Sequence, residues 1–163
     1  MLKIQPRHSV TLSIVITCLC IVAMLAVGLT VHDYPHLWFA NHTVTPSLTV
    51  ILFTYVELVF AFLAAGLLLS LLLNIRRHAV FIPRNVSLLR GLSWCCFAEG
   101  LLFLAEGILL HFDVGRVLWN EDFFVILYVL LAFACTFMGV ILRVVKNAFE
   151  EAVVLQDESD FTV

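Results

Sequence analysis

Four continuous apolar stretches, each long enough to cross a bilayer as a helix, decide what this chain can become. They run from Val10 to Val31, Ser47 to Leu73, Leu88 to Leu110 and Phe123 to Leu142. A hydrocarbon core asks for about 20 apolar residues in helical form, and there every backbone N–H and C=O must find its partner within the segment. A membrane β-barrel would need short alternating strands of about ten residues, and these runs do not alternate. Composition agrees: 63% of residues are hydrophobic, 13% are charged, and the mean hydropathy is +1.08. A soluble domain carries roughly a quarter charged residues. The expected fold is all-α: one integral membrane domain covering residues 1–163, with four transmembrane helices.

The basic residues orient it. Lys3 and Arg7 precede the first span, Arg76, Arg77, Arg84 and Arg90 lie between the second and third, and Arg143 and Lys146 follow the fourth. Of the nine Lys and Arg, Arg116 alone falls on the other side. The positive-inside rule places both termini and the middle loop in the cytoplasm. Tyr34, Trp38 and Trp119 then mark the outer boundary and Trp94 the inner one. A cleaved signal peptide would also use Lys3 and Arg7, but its apolar core spans only about 7–15 residues, shorter than Val10–Val31. Short connections make neighbouring helices antiparallel, in an up-down-up-down bundle.

Pro83 and Asn85 read as a breaker and a start for the third helix. The last helix continues past the membrane as a short cytoplasmic extension, residues 143–163. Val145, Ala148, Phe149 and Ala152 form its apolar stripe, opposite Lys146, Asn147, Glu150 and Glu151.

Inside the third span a motif repeats after seven residues: Ala98-Glu99-Gly100, then Ala105-Glu106-Gly107. Seven residues are nearly two turns, so Glu99 and Glu106 share a face about 10 Å apart. Glu57 lies in the second span, and the antiparallel arrangement puts it at a depth comparable to Glu99. No Lys or Arg accompanies the three acids at that depth, so neutral or proton-sharing carboxyls are expected. They can specify packing by hydrogen bonding to Thr54, Tyr55, Ser93, Tyr128 or Thr136, at about 0.6–2 kcal/mol for each interhelical bond. Alternatively, they can bind and release a proton or cation. Packing is the simpler reading.

Other constellations are weaker. His32, Asp33, His36 and His111, with His42 and Asp113 nearby, carry metal-ligand chemistry on the outer side. Pro35 interrupts any helix that would align His32 with His36, and no His-Glu-x-x-His spacing occurs. No metal site is therefore assigned. Cys18, Cys20, Cys95, Cys96 and Cys135 all fall in spans without a CxxC pair and read as small packing residues. Gly91-Leu-Ser-Trp94-Cys95-Cys96 resembles an extracellular motif of junctional tetraspan proteins, but it starts on the cytoplasmic side of a span. Asn41-His-Thr43 has meaning as a glycosylation sequon only in a eukaryotic secretory pathway. The chain has no phosphate-binding Gly loop, nucleophile elbow or spaced Ser/His/Asp set. Neither an enzyme nor a bound cofactor is expected.

Charge divides the inner face. The middle loop is basic through Arg76, Arg77, Arg84 and Arg90, with Asn85 among them. The tail is acidic through Glu150, Glu151, Asp157, Glu158 and Asp160, and closes with Phe161-Thr-Val163. Anionic lipid accounts for the loop but not for the acids. A tail folded onto the loop, or docked to a basic partner, accounts for both.

The middle loop, Phe81-Ile-Pro-Arg-Asn85-Val-Ser-Leu-Leu-Arg90, resembles a phrase from a bacterial four-span membrane family, the domain of unknown function 2975. So does the close, Ala148-Phe149-Glu-Glu-Ala152-Val-Val-Leu-Gln-Asp157-Glu158-Ser-Asp160-Phe-Thr-Val163. Many members carry Gly where this chain has Ala152. The resemblance implies a non-enzymatic protein of the cell inner membrane, often encoded beside a small helix-turn-helix regulator. The expected function is therefore protein interaction in signalling or regulation. Its contact surface would comprise Arg76, Arg77, Arg84, Asn85, Arg90, Asp157, Glu158, Asp160, Phe161 and Val163. Besides the lipid bilayer, the regulator is the expected partner, with no direct nucleic-acid contact. The alternative is a proton- or cation-coupled transporter subunit using Glu57, Glu99 and Glu106, most easily as a homo-oligomer.

Overall fold

Proline sets one boundary of the fold. Pro83 opens a helix at its first position, where a missing N–H costs nothing and the fixed φ is already helical. The computed structural model describes residues 6–31, 48–77, 80–114 and 121–161. Four helices run through them: α1 Pro6–Val31, α2 Leu48–Arg76, α3 Pro83–Val114 and α4 Glu121–Phe161. Each contains a segment long and apolar enough to cross a membrane. The chain is a multi-pass, all-α four-helix protein. The helices outrun their apolar stretches, most of all α4. Its 41 residues reach about 60 Å at 1.5 Å per residue, twice the hydrocarbon thickness of about 30 Å.

Packing follows chain order. α1 lies on α2, α2 on α3 and α3 on α4, and the α3–α4 contact is the most extensive. Among the described residues α1 packs against neither α3 nor α4. Leu12, Leu19, Leu52 and Val59 on α1 and α2 point outward, as lipid-facing residues do. The centre of the fold is α3, the most buried of the four.

The buried face of α3 is written in sevens. One row is Asn85, Leu92, Glu99 and Glu106; the next is Val86, Ser93, Gly100 and Gly107, and all eight are buried. Leu89 and Cys95 fill the face between them. A straight helix drifts about 20° per heptad, so a seven-residue row stays against its neighbours only at a shallow left-handed crossing.

The second row is small because α4 comes close. A Cβ on Gly100 would lie 2.6 Å from Thr136 Oγ1 and 3.0 Å from the Ala132 carbonyl oxygen. One on Gly107 would meet Tyr128 Cβ at 3.0 Å. From the other side, a Cβ on Gly139 would press on the Phe97 ring at 3.1 Å. Ser93 Oγ donates to the Gly139 carbonyl across the same seam at 3.0 Å. Lipid tails are as apolar as the side chains, so helix association in a bilayer depends on this kind of close packing and on interhelical hydrogen bonds.

At the Arg-bearing end, Asn85 clamps the α2–α3 connection. Its Nδ2 donates to the Val80 carbonyl at 2.7 Å, its Oδ1 accepts from Asn74 Nδ2 at 2.8 Å, and its backbone N–H donates to Ile82 O at 2.9 Å. Nearby, the Arg143 guanidinium lies 4.8 Å from the Trp94 ring centroid and 5.6 Å from that of Phe97. The α2–α3 connection also reaches the far half of α4 through Phe81 and Phe149, whose ring centroids are 5.6 Å apart. Arg90 Nη2 sits 3.8 Å from Glu150 Oε1, and Lys146 pairs with the same carboxylate. Exposed ion pairs of this kind contribute little to stability.

Three substitutions test this packing. Gly100→Ala should destabilise by about 1–3 kcal/mol, because the backbone carbonyl of Ala132 cannot yield as a side chain can. Gly66→Ala, with open space around it, should be neutral or stabilise by up to about 1 kcal/mol. Asn85→Ala should cost about 1–3 kcal/mol by orphaning the Val80 carbonyl and the Asn74 amide. Denaturant or thermal unfolding in a fixed detergent would rank the three variants.

Candidate functional site

The other heptad row of α3 carries the acids, turned away from the glycine seam by one residue and so by about 100°. Glu106 is 1% exposed and Glu99 8% exposed, while Glu57 of α2 is half-buried. Glu106 has a neighbour on each side, Glu57 of α2 and Tyr128 of α4. Three buried carboxyl oxygens have no hydrogen-bond partner: Glu57 Oε1, Glu99 Oε1 and Glu106 Oε2. Among the described residues, the ion pairs gather at Glu150 and none reaches these three acids.

The pairing differs from the register expected from sequence, where Glu57 was set level with Glu99. Helix lengths explain the difference. Glu57 lies nine residues inside the first residue of α2, and Glu106 eight residues inside the last residue of α3 at the same end. Glu99 lies one heptad deeper, close enough for its charge to be felt at Glu57. Of the hydroxyls expected to satisfy the acids, that of Tyr128 lies beside Glu106. Ser93 and Thr136 turn instead to backbone carbonyls, Thr136 Oγ1 donating to Ala132 O at 2.8 Å. Tyr55 is exposed on α2.

The second candidate surface lies at the Arg-bearing end. Arg76, Arg77, Arg84, Arg90 and Glu158 are exposed. Asn85 corrects the sequence reading: it is fully buried in the clamp, because its amide is consumed by Asn74 and Val80, and it presents nothing to a partner. The side chains of Asp157, Asp160 and Phe161 lie outside the described residues, as does Val163. The metal candidates His32, Asp33 and His36, and the His111 side chain, lie outside them too. Among the described residues no group of three potential metal ligands gathers. The five cysteines are free; Cys18 and Cys20 are exposed on α1, and Cys95 is buried on α3.

Sequence reasoning identified the repeated acids but not the division of labour around them. Ser93 precedes Gly100 by the same seven residues that separate Gly100 from Gly107, and that spacing was the available signal for the α4 seam. Tyr128 was one of five hydroxyls the sequence offered to the acids, and the fold brings it to Glu106.

No curated protein and no solved structure matches the chain. The family model described as "Protein of unknown function (DUF2975)" matches residues 37–163. That span takes in α2, α3 and α4, and with them every carboxyl of the cluster and both sides of the basic end. On this match the chain belongs to the DUF2975 family of proteins of unknown function.

Proposed function

We propose that this is a small bacterial inner-membrane protein that acts by holding another protein at its cytoplasmic face, in signalling or regulation. The observation that carries the reading is the joining of the basic connection to the acidic half of α4 through Phe81–Phe149 and Arg90–Glu150. Two segments of opposite charge thereby make one surface. Arg76, Arg77 and Arg84 remain exposed beside it and outside any ion pair among the described residues. Along α4, Val154 and Leu155 are exposed between Glu151 and Glu158. Apolar side chains flanked by charge suit a protein partner better than a headgroup layer, whose negative potential repels the acids. A small helix-turn-helix regulator, the partner implied by the family resemblance, is the first candidate.

A second reading, a proton- or cation-coupled transporter subunit, is favoured by one specific observation: the three unpartnered carboxyl oxygens between α2, α3 and α4.

The docking reading predicts orientation first. A fluorescent protein fused after Val163 should fluoresce, and alkaline phosphatase fused there should be inactive; the reverse result would place the surface outside the cell. Deleting Asp157 to Val163 should leave insertion intact and abolish the partner complex recovered in mild detergent, whereas a retained complex rules out the tail. Arg77→Glu with Arg84→Glu should weaken capture of the same partner roughly tenfold, equivalent to about 1.4 kcal/mol.

A further inference from the structure

At the Arg-bearing end of the α3–α4 seam, two aromatic rings and a guanidinium form a corner that the docking surface does not use. Asp122 and Arg143 bracket the apolar run of α4 and lie about 32 Å apart along its axis at 1.5 Å per residue. That is close to the thickness of a hydrocarbon core, so Arg143 stands at the depth of lipid headgroups. One turn earlier, Gly139 lets the Phe97 ring lie against α4; a Cβ there would meet the ring at 3.1 Å. Trp94, a turn before Phe97 on α3, stands edge-on to that ring, with centroids 6.2 Å apart and planes at 71°. The Arg143 guanidinium sits against both, 4.8 Å from the Trp94 centroid and 5.6 Å from that of Phe97.

The aromatic contacts hold the cation and leave its donors unused. Among the described residues, no carboxylate pairs with Arg143 and no acceptor takes a hydrogen bond from it. Its planar fork of N–H groups matches two oxygens of a phosphate. Glu150 is already engaged by Arg90 and Lys146, so three cations against one carboxylate leave this corner positive. The corner also faces outward: Trp94 is 59% exposed, and Arg143 is exposed beside it. From Trp94 a heptad row of exposed residues, Leu101 and Ile108, continues down the outer side of α3. An anion at headgroup depth, above an apolar track running into the hydrocarbon, has the form of a phospholipid. A zwitterionic headgroup would bring its own cation beside Arg90 and Arg143, with no free carboxylate to receive it. An anionic headgroup brings none.

We propose that Arg143, held by Trp94 and Phe97, binds the phosphate of one anionic phospholipid whose acyl chain lies along Trp94, Leu101 and Ile108. The site is independent of cytoplasmic docking, since its residues lie on the lipid side of the seam.

Trp94 can report on its own ligand. With Trp38→Phe and Trp119→Phe it is the one tryptophan left of three. The full chain is reconstituted in phosphatidylcholine vesicles that contain brominated phosphatidylglycerol or brominated phosphatidylcholine, and quenching of Trp94 is measured. Phosphatidylglycerol should be preferred about tenfold, as a charge-assisted bidentate contact allows. The preference should fall to about twofold in Arg143→Lys, which keeps the charge and loses the fork, and vanish in Arg143→Gln. Equal quenching by the two lipids before any change at Arg143 overturns the proposal. So does a preference that Arg143→Lys leaves intact, which would reduce the corner to ordinary interfacial charge. Loss of the preference on adding inorganic phosphate assigns the fork to a soluble anion and removes the lipid. Indifference to lipid, with the detergent-stable partner complex lost in Arg143→Gln, assigns it instead to a protein carboxylate and likewise overturns the proposal.

Discussion

Everything in this fold depends on how closely α4 approaches α3. A Cβ at Gly100 would come 2.6 Å from Thr136 Oγ1, so the two helices touch nearly backbone to backbone. Proximity of that kind recruits dispersion and the Ser93–Gly139 hydrogen bond, which are among the interactions a bilayer leaves available for joining helices. It also fixes the rotation of α3. Once Ser93, Gly100 and Gly107 face α4, the preceding residues Leu92, Glu99 and Glu106 must lie about 100° around the helix. The acids are therefore placed between α2 and α4 by the glycines beside them. The Ala-Glu-Gly repeat is one device with two functions: its glycine sets the seam and its glutamate uses the angle the seam leaves.

The three helices that hold the acids are also the three that lie wholly within the family match, which begins at residue 37. α1 stands apart from them. It packs on α2 alone among the described helices and shows lipid most of its surface, with Thr17 a buried exception whose hydroxyl returns to the Ser13 carbonyl at 2.8 Å. The architecture is thus a tight α3–α4 pair, a more loosely applied α2 that contributes one carboxyl, and an outer helix.

Much of this was legible in the sequence, for identifiable reasons. Helix number and the extension of α4 follow from continuous apolar runs and a charge-flanked periodicity, both local properties of the chain. The burial of Glu99 and Glu106 follows from the cost of exposing carboxyls to lipid at that depth. What stayed hidden was relational. That Glu57 meets Glu106 rather than Glu99 depends on where α2 and α3 begin and end, and boundaries are the least readable part of a helix. Asn85 looked like surface because asparagine beside arginine in a loop usually is. Its burial comes from a hydrogen bond to Asn74, eleven residues away on another helix. Tyr128 was legible as one of five candidate hydroxyls, but which of them lies beside Glu106 depends on the packing of α4.

The continuity of α4 has a mechanical consequence. Tyr128 touches the carboxyl cluster, and the same unbroken helix runs on to Phe161. That distance is about 50 Å at 1.5 Å per residue. A rod of that length converts angle into displacement: a tilt of about 5° at the cluster sweeps the far tip through roughly 4 Å, on the same helical dimensions. Phe149 and Glu150 ride partway along this arm, braced against Phe81 and Arg90. A tilt pivoting at Tyr128 therefore loads the Phe81–Phe149 and Arg90–Glu150 contacts before it reaches the acidic end.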